Sequence, residues 1–233
     1  MSRITSKLAI GALFLGGTLS AALAAGLPLG ISQVDTGALP PTGEEWLSEN
    51  PYRVDAVGEE IWQEAIKIGA SGYNQNCARC HGLEAISGGL APDLRYLEAE
   101  EYGDEWYVER FRVGATQNGI TKMPGFGEVL GQDAAWAIRT YIETRPDDQA
   151  MADFTDELKT MRDQLQVYAT DSDEANPEQM KSRLIEIAAE IPTLSGAPVA
   201  DSIAAEAAMR IDGTPLGYSD AAETLTIGLS AAK

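Results

Sequence analysis

The sequence predicts an all-α protein, and three observations carry that expectation. Apolar residues recur at helical spacing on both sides of residue 77 and again through the last third of the chain. Glycines, prolines and an Asn-Pro pair stand where those apolar stripes begin and end. No stretch of strand period leads into the pair of cysteines at Cys77 and Cys80.

The elements follow in order. Arg3 and Lys7 make a basic start, Leu8 to Leu19 is uncharged and apolar, and Ala22-Leu23-Ala24-Ala25 supplies small residues. Residues 1–25 therefore read as a secretory signal peptide. The apolar run is short and rich in Gly and Ala for a membrane span. Only a signal left uncleaved would tie the chain to a membrane, so a soluble exported protein is expected, periplasmic in a Gram-negative cell. Residues 26–59 hold Pro28, Pro40, Pro41 and Pro51 without a sustained period. They read as an extended arm, either laid along the next unit through Trp46 and Tyr52 or disordered.

Ile61, Ala65, Ile68 and Tyr73 mark the apolar face of a helix leading into Cys77, with Gly69 as its one residue lacking a side chain. Glu105 to Val113 reads as a short helix stopped by Gly114. Gly88 to Leu94, and Ile120 to Phe126 around Met123, read as irregular chain. Ala134, Ala135, Ile138, Tyr141 and Ile142 then form a second stripe. A glycine on one helix and an aromatic on the other let two helices cross closely. Past Pro146, Phe154, Leu158, Met161, Leu165 and Tyr168 mark one helix, and Met180, Leu184, Ile187 and Ile191 mark another behind Asn176-Pro177. Two more are expected near Val199 to Ile211 and Ser219 to Leu229. Residues 60–147 and 148–233 thus read as separate units, the second an acidic helical extension.

Cys77-Ala78-Arg79-Cys80-His81 carries the chemistry. Two thiols and an imidazole at this spacing let both cysteines bond to the vinyl groups of one haem while His81 reaches its iron. The chain has two cysteines and one histidine, all within these five residues. That leaves nothing for a disulfide, a zinc site or a second haem. The competing reading, a thioredoxin-like redox pair, would place the motif after a strand. An oxidising compartment suits thiols that the haem consumes.

The other side of the iron is open to methionine, to lysine or to no ligand. Met123, Met151, Met161, Met180 and Met209 remain beyond the signal. Met123 stands out because Pro124 holds it in extended chain, from which a thioether can arch over a haem face. Met161 and Met180 fit helical stripes and read as core. The formal charge is −19. It argues against nucleic acid and anionic membranes as partners and for a partner with a basic docking patch.

Residues 60–146 resemble a class I c-type cytochrome. Gly69 and Tyr73 stand eight and four residues before Cys77, Tyr141 matches the aromatic of the last helix, Pro92 and Leu94 match the Pro-x-Leu, and Met123 matches the distal methionine. The resemblance implies a class I cytochrome c fold, extended here by an amino-terminal arm and the carboxyl-terminal helices. It implies that the Pro92 carbonyl accepts the His81 Nδ1 proton, that Leu94 covers the haem, and that His81 and Met123 ligate the iron. Arg95, just past the Pro-x-Leu, is placed for a haem propionate, with a solvated surface arginine as the alternative. The longer string from Tyr73 to Ala85, followed by Ala91 to Arg95, is similar to small periplasmic cytochromes that accept electrons from PQQ-dependent alcohol dehydrogenases. On that resemblance the chain is an electron carrier with one covalent haem c, not an enzyme. Its donor would be a PQQ-dependent (quinoprotein) alcohol dehydrogenase, and a downstream cytochrome or terminal oxidase would accept from it. The rivals are a fixed cytochrome c subunit of a larger respiratory or dehydrogenase complex and a haem peroxidase-type enzyme, which would need an open distal position and acid–base groups, whereas the only histidine is already the proximal ligand.

Overall fold

A computed structural model of the chain describes residues 30–173, 175–200 and 202–231. The expected signal peptide, residues 1–25, lies outside the described residues. Among the described residues no helix is long and apolar enough to cross a membrane.

The first half is assembled on one helix crossing. Helix α1, Val54–Asn76, loses helical geometry at Gly58 and is regular beyond it. The single turn α2, Ala78–His81, continues from it. Helix α3 spans Glu101–Val113 and α4 spans Gly127–Glu143. Where α1 meets α4, a Cβ on Gly69 would fall on the Ala137 carbonyl oxygen and come within 2.9 Å of Tyr141 Cβ. Glycine therefore permits the approach, and the Tyr73 and Tyr141 rings then pack at 5.3 Å. Helix α3 lies on another face of α4, with the Tyr107 hydroxyl donating to the Ala135 carbonyl at 2.9 Å. It begins four residues before the expected start. Gly103 disguises that first turn, yet glycine is needed there because a Cβ would meet the Glu98 carbonyl oxygen.

Of the expected irregular chain from Ile120 to Phe126, residues 124–126 have no regular structure, whereas Ile120–Met123 is a strand of a β-hairpin. Strand β1, Ala115–Gln117, pairs antiparallel with β2, Ile120–Met123. Asn118 (φ 53°) and Gly119 (φ 74°) make the two-residue turn between them. Positive φ at both central positions is the turn that matches strand twist, and Asn-Gly favours it.

The arm is docked rather than disordered over its described part. Ser32 N–H donates to Asn76 Oδ1 at 2.8 Å, Leu47 N–H to Gln132 Oε1 at 3.2 Å, and the buried Tyr52 hydroxyl to the Pro40 carbonyl at 2.8 Å. Its end joins a buried ionic cluster. The Asp104 carboxylate accepts from Asn50 N–H at 2.8 Å, from Arg53 at 2.8 Å and from Arg139 Nε at 2.9 Å. Glu143 completes it, 2.9 Å from Arg53. Burial pushes the Glu143 carboxyl up, against the pull of Arg139 and Arg53.

The second half has its own core. Helices α5 (Asp148–Asp153), α6 (Thr155–Tyr168), α7 (Pro177–Glu190), α8 (Ile203–Arg210) and α9 (Pro215–Ala231) follow the arm-bound unit. Leu158, Leu165, Leu184, Ile187 and Leu225 are fully buried there, and this core shares no buried residue with the first. The seam between the two is polar. Ala99 N–H donates to the Ser195 carbonyl at 2.9 Å, Asp147 N–H to the Pro192 carbonyl at 2.8 Å, and the Ser195 hydroxyl to the Glu143 carbonyl. Arg95 pairs across the seam with Asp148 at 2.7 Å, and Ala200 packs on the first core.

Candidate haem site

Helix α1 delivers the motif. Cys77 N–H still donates to the Tyr73 carbonyl at 2.7 Å, and the amides of Cys80 and His81 return to the Cys77 carbonyl at 3.1 and 3.0 Å. One helical turn therefore puts Cys77 and Cys80 on the same face. Cys77 is half-buried against the first core, Cys80 is exposed and His81 is buried. The chain reverses at Gly82 (φ 86°), where a Cβ would fall on the Ile86 carbonyl oxygen. The Tyr73 hydroxyl donates to the Gly82 carbonyl at 2.8 Å, and Arg145 Nη1 reaches the Glu84 carboxylate at 2.8 Å. These two ties fix the turn after His81 from α1 and from the chain just past the end of α4.

His81 Nδ1 lies 2.9 Å from the Pro92 carbonyl oxygen. A proton on Nδ1 is donated there, leaving the Nε2 lone pair for a metal. Asp93 shapes the loop by accepting from Arg95 N–H at 3.1 Å, which caps the 3₁₀ turn Leu94–Tyr96. Leu94 is buried in the first core.

These residues fit a covalent haem. Burial, aided by the neighbouring Cys80, pushes the unmodified Cys77 thiol up to about 12. A neutral thioether suits that place where a thiolate does not. Among the described residues no cluster of three or more His, Cys, Asp or Glu could hold a bare metal ion. Two cysteines and one histidine within five residues match an iron held in a porphyrin.

The methionines separate by core. Met123, at the end of β2, packs on the first core, as Cys77 does. Met161 and Met180 are buried in the second core, Met151 packs against that core, and Met209 is 74% exposed. Arg95 is buried, so the alternative of a solvated surface arginine does not hold. Nε and Nη2 bind Asp93 at 3.0 and 2.7 Å, and Nη1 binds Asp148 at 2.7 Å. Its bonds outweigh the burial of Asp93 and hold that carboxyl below the usual carboxylate range.

Residues 64–142 match the family model described as cytochrome C oxidase, cbb3-type, subunit III. Cytochrome c550 of Pseudomonas aeruginosa is 52% identical over 111 residues, 48% of this chain and 74% of that protein. The chain belongs to the c-type cytochromes. It therefore carries covalently bound haem c and is an electron carrier. Two quinohemoprotein alcohol dehydrogenases of Pseudomonas putida also resemble this cytochrome. ADH-IIG is 32% identical over 84 residues, 36% of the chain and 11% of that protein. ADH IIB is 31% identical over 104 residues, 44% of the chain and 14% of that protein. No solved structure matches.

Proposed function

We propose that this cytochrome is a soluble periplasmic carrier that takes electrons from a quinoprotein alcohol dehydrogenase and passes them towards a downstream cytochrome or terminal oxidase. Cys77 and Cys80 hold the haem through thioethers, His81 Nε2 binds the iron, and Met123 sulfur binds its other side. The haem supplies one-electron chemistry at iron, which His/Met ligation keeps at high potential. The chain fixes the imidazole through the Pro92 carbonyl and covers the haem with apolar side chains, Leu94 among them. The single observation that carries this ligand pair is the placement of Met123. Of the five methionines beyond residue 25, it alone packs on the core that also carries Cys77.

Met123→Ala tests the ligation. The ferric protein should lose its weak sulfur-to-iron band at the red end of the spectrum, and the midpoint potential should fall. An unchanged spectrum would remove Met123 from the iron.

The donor rests on the similarity to two proteins named as quinohemoprotein alcohol dehydrogenases. With a formal charge of −19, the cytochrome suits a donor whose electron exit is ringed by basic residues. Stopped-flow reduction by such a dehydrogenase should slow severalfold, by roughly three- to tenfold, between low salt and about 0.15 M, where the screening length is about 8 Å. A rate indifferent to salt would end the steering idea. A second reading, a fixed subunit of a respiratory complex, draws on the family model's description. Size exclusion of native extract separates the two, since a fixed subunit would carry its haem absorbance in a large complex.

A further inference from the structure

The carboxyl-terminal helices reach the histidine side of the haem site through one arginine. The Arg95 side chain is 4% exposed and lies between two carboxylates, each at 2.7 Å, Asp93 on Nη2 and Asp148 on Nη1. Nη1 also points to the Pro146 carbonyl oxygen at 3.5 Å. Asp93 follows Pro92 directly, and the Pro92 carbonyl oxygen is the group 2.9 Å from His81 Nδ1. Asp93 holds this loop further by accepting from the amides of Arg95 at 3.1 Å and Ser87 at 3.4 Å. Asp148 is the first residue of α5 and stands outside the stretch that matches the family model.

Burial works against the Arg95 charge, and the two carboxylates more than restore it. The forked contact with Asp93 fixes direction as well as charge. An arginine held at its far side by Asp148 is a rigid strut. One left with Asp93 and the long contact to the Pro146 carbonyl is freer to swing with its loop.

We propose that Asp148 is a positioning residue for the haem ligand. Through Arg95 and Asp93 it holds the Pro92 carbonyl against His81 Nδ1, so the carboxyl-terminal extension sets the strength of the iron's imidazole ligand. The inference rests on His81 binding the iron. A carbonyl that accepts firmly from Nδ1–H makes the imidazole a stronger donor and favours ferric over ferrous iron. Loosening the strut should therefore raise the midpoint potential.

The experiment uses the intact holoprotein and its Asp148→Ala and Asp148→Glu variants. Asp148 is 43% exposed, so its replacement leaves both cores packed. NMR of the ferrous state follows hydrogen exchange at His81 Nδ1, and spectroelectrochemistry gives the potential. Asp148→Ala should speed that exchange about tenfold, the scale of one charge-assisted bond lost, and make the potential more positive. Asp148→Glu should restore both. Exchange within about twofold of the parent protein, even with a shifted potential, would reduce Asp148 to a distant charge and overturn the proposal. So would a glutamate variant that behaves like the alanine one. A parent protein without the low-spin spectrum of imidazole-ligated haem would instead overturn the reading of His81, and would be recognised before any variant was compared.

Discussion

Asp104→Ala should cost about 3–5 kcal/mol of unfolding free energy, because it removes one partner from a buried ionic cluster. Arg139 and Asp104 are both without solvent exposure and lie 2.9 Å apart. With the carboxylate gone, Arg139 keeps, among the described residues, Glu143 at 3.6 Å, the carbonyl oxygens of Leu97 and Glu98, and the Tyr107 ring. There is no slack to absorb the loss, since Arg139 Nη1 already lacks a hydrogen-bond partner among the described residues. The same substitution also strips an acceptor from Asn50 N–H and Arg53, so the arm should loosen together with the crossing of α3 and α4. Guanidinium unfolding of the holoprotein, followed at the haem Soret band, measures the cost. Asp156→Ala provides the contrast. That carboxylate is 99% exposed in its pair with Lys159, and its loss should change stability by no more than about 0.5 kcal/mol. Equal effects at the two positions would show that burial of the cluster does not govern its worth.

Gly69→Ala should be the next most damaging change, at about 3 kcal/mol, the upper end of ordinary overpacking. The obstacle to the new methyl is the Ala137 carbonyl, and a backbone group cannot turn aside as a side chain can. Helix α1 must then lift from α4, which also separates the Tyr73 and Tyr141 rings. Because the Tyr73 hydroxyl supports the turn after His81, the damage should extend to the haem spectrum as well as to the melting temperature. Gly88→Ala serves as the control, since nothing lies within 4 Å of a Cβ built there. A Gly69→Ala protein that melts with the parent would mean that the two helices do not need this approach.

The helix crossing was legible because it is written in local terms: a glycine and a tyrosine four apart on one stripe, and a tyrosine on the other. The attachment motif was legible for the same reason, with every participant inside five residues. The hairpin was missed although Asn118-Gly119 announces it. Its strands are short, and neither has a buried face, with Ile120 60% exposed, so no alternation of apolar and polar residues drew attention to them. Asp104, Arg139 and Glu143 look in sequence like ordinary charges on helix surfaces. Only the approach of α3, α4 and the arm removes water from them together. Arg95 stands among expected haem residues in sequence, while one of its ion-pair partners, Asp148, is 53 positions away. Contacts of that separation follow from how the two cores sit against each other, which no local spacing records.

The polar seam has a consequence for ancestry. The acidic helices bury their own apolar residues and meet the cytochrome, among the described residues, through backbone amide bonds, the Arg95–Asp148 ion pair and the small side chain of Ala200. Among the described residues, joining such a module covers little apolar surface between the two cores. A change that added or removed this tail would therefore cut across backbone bonds and charged groups more than across apolar packing.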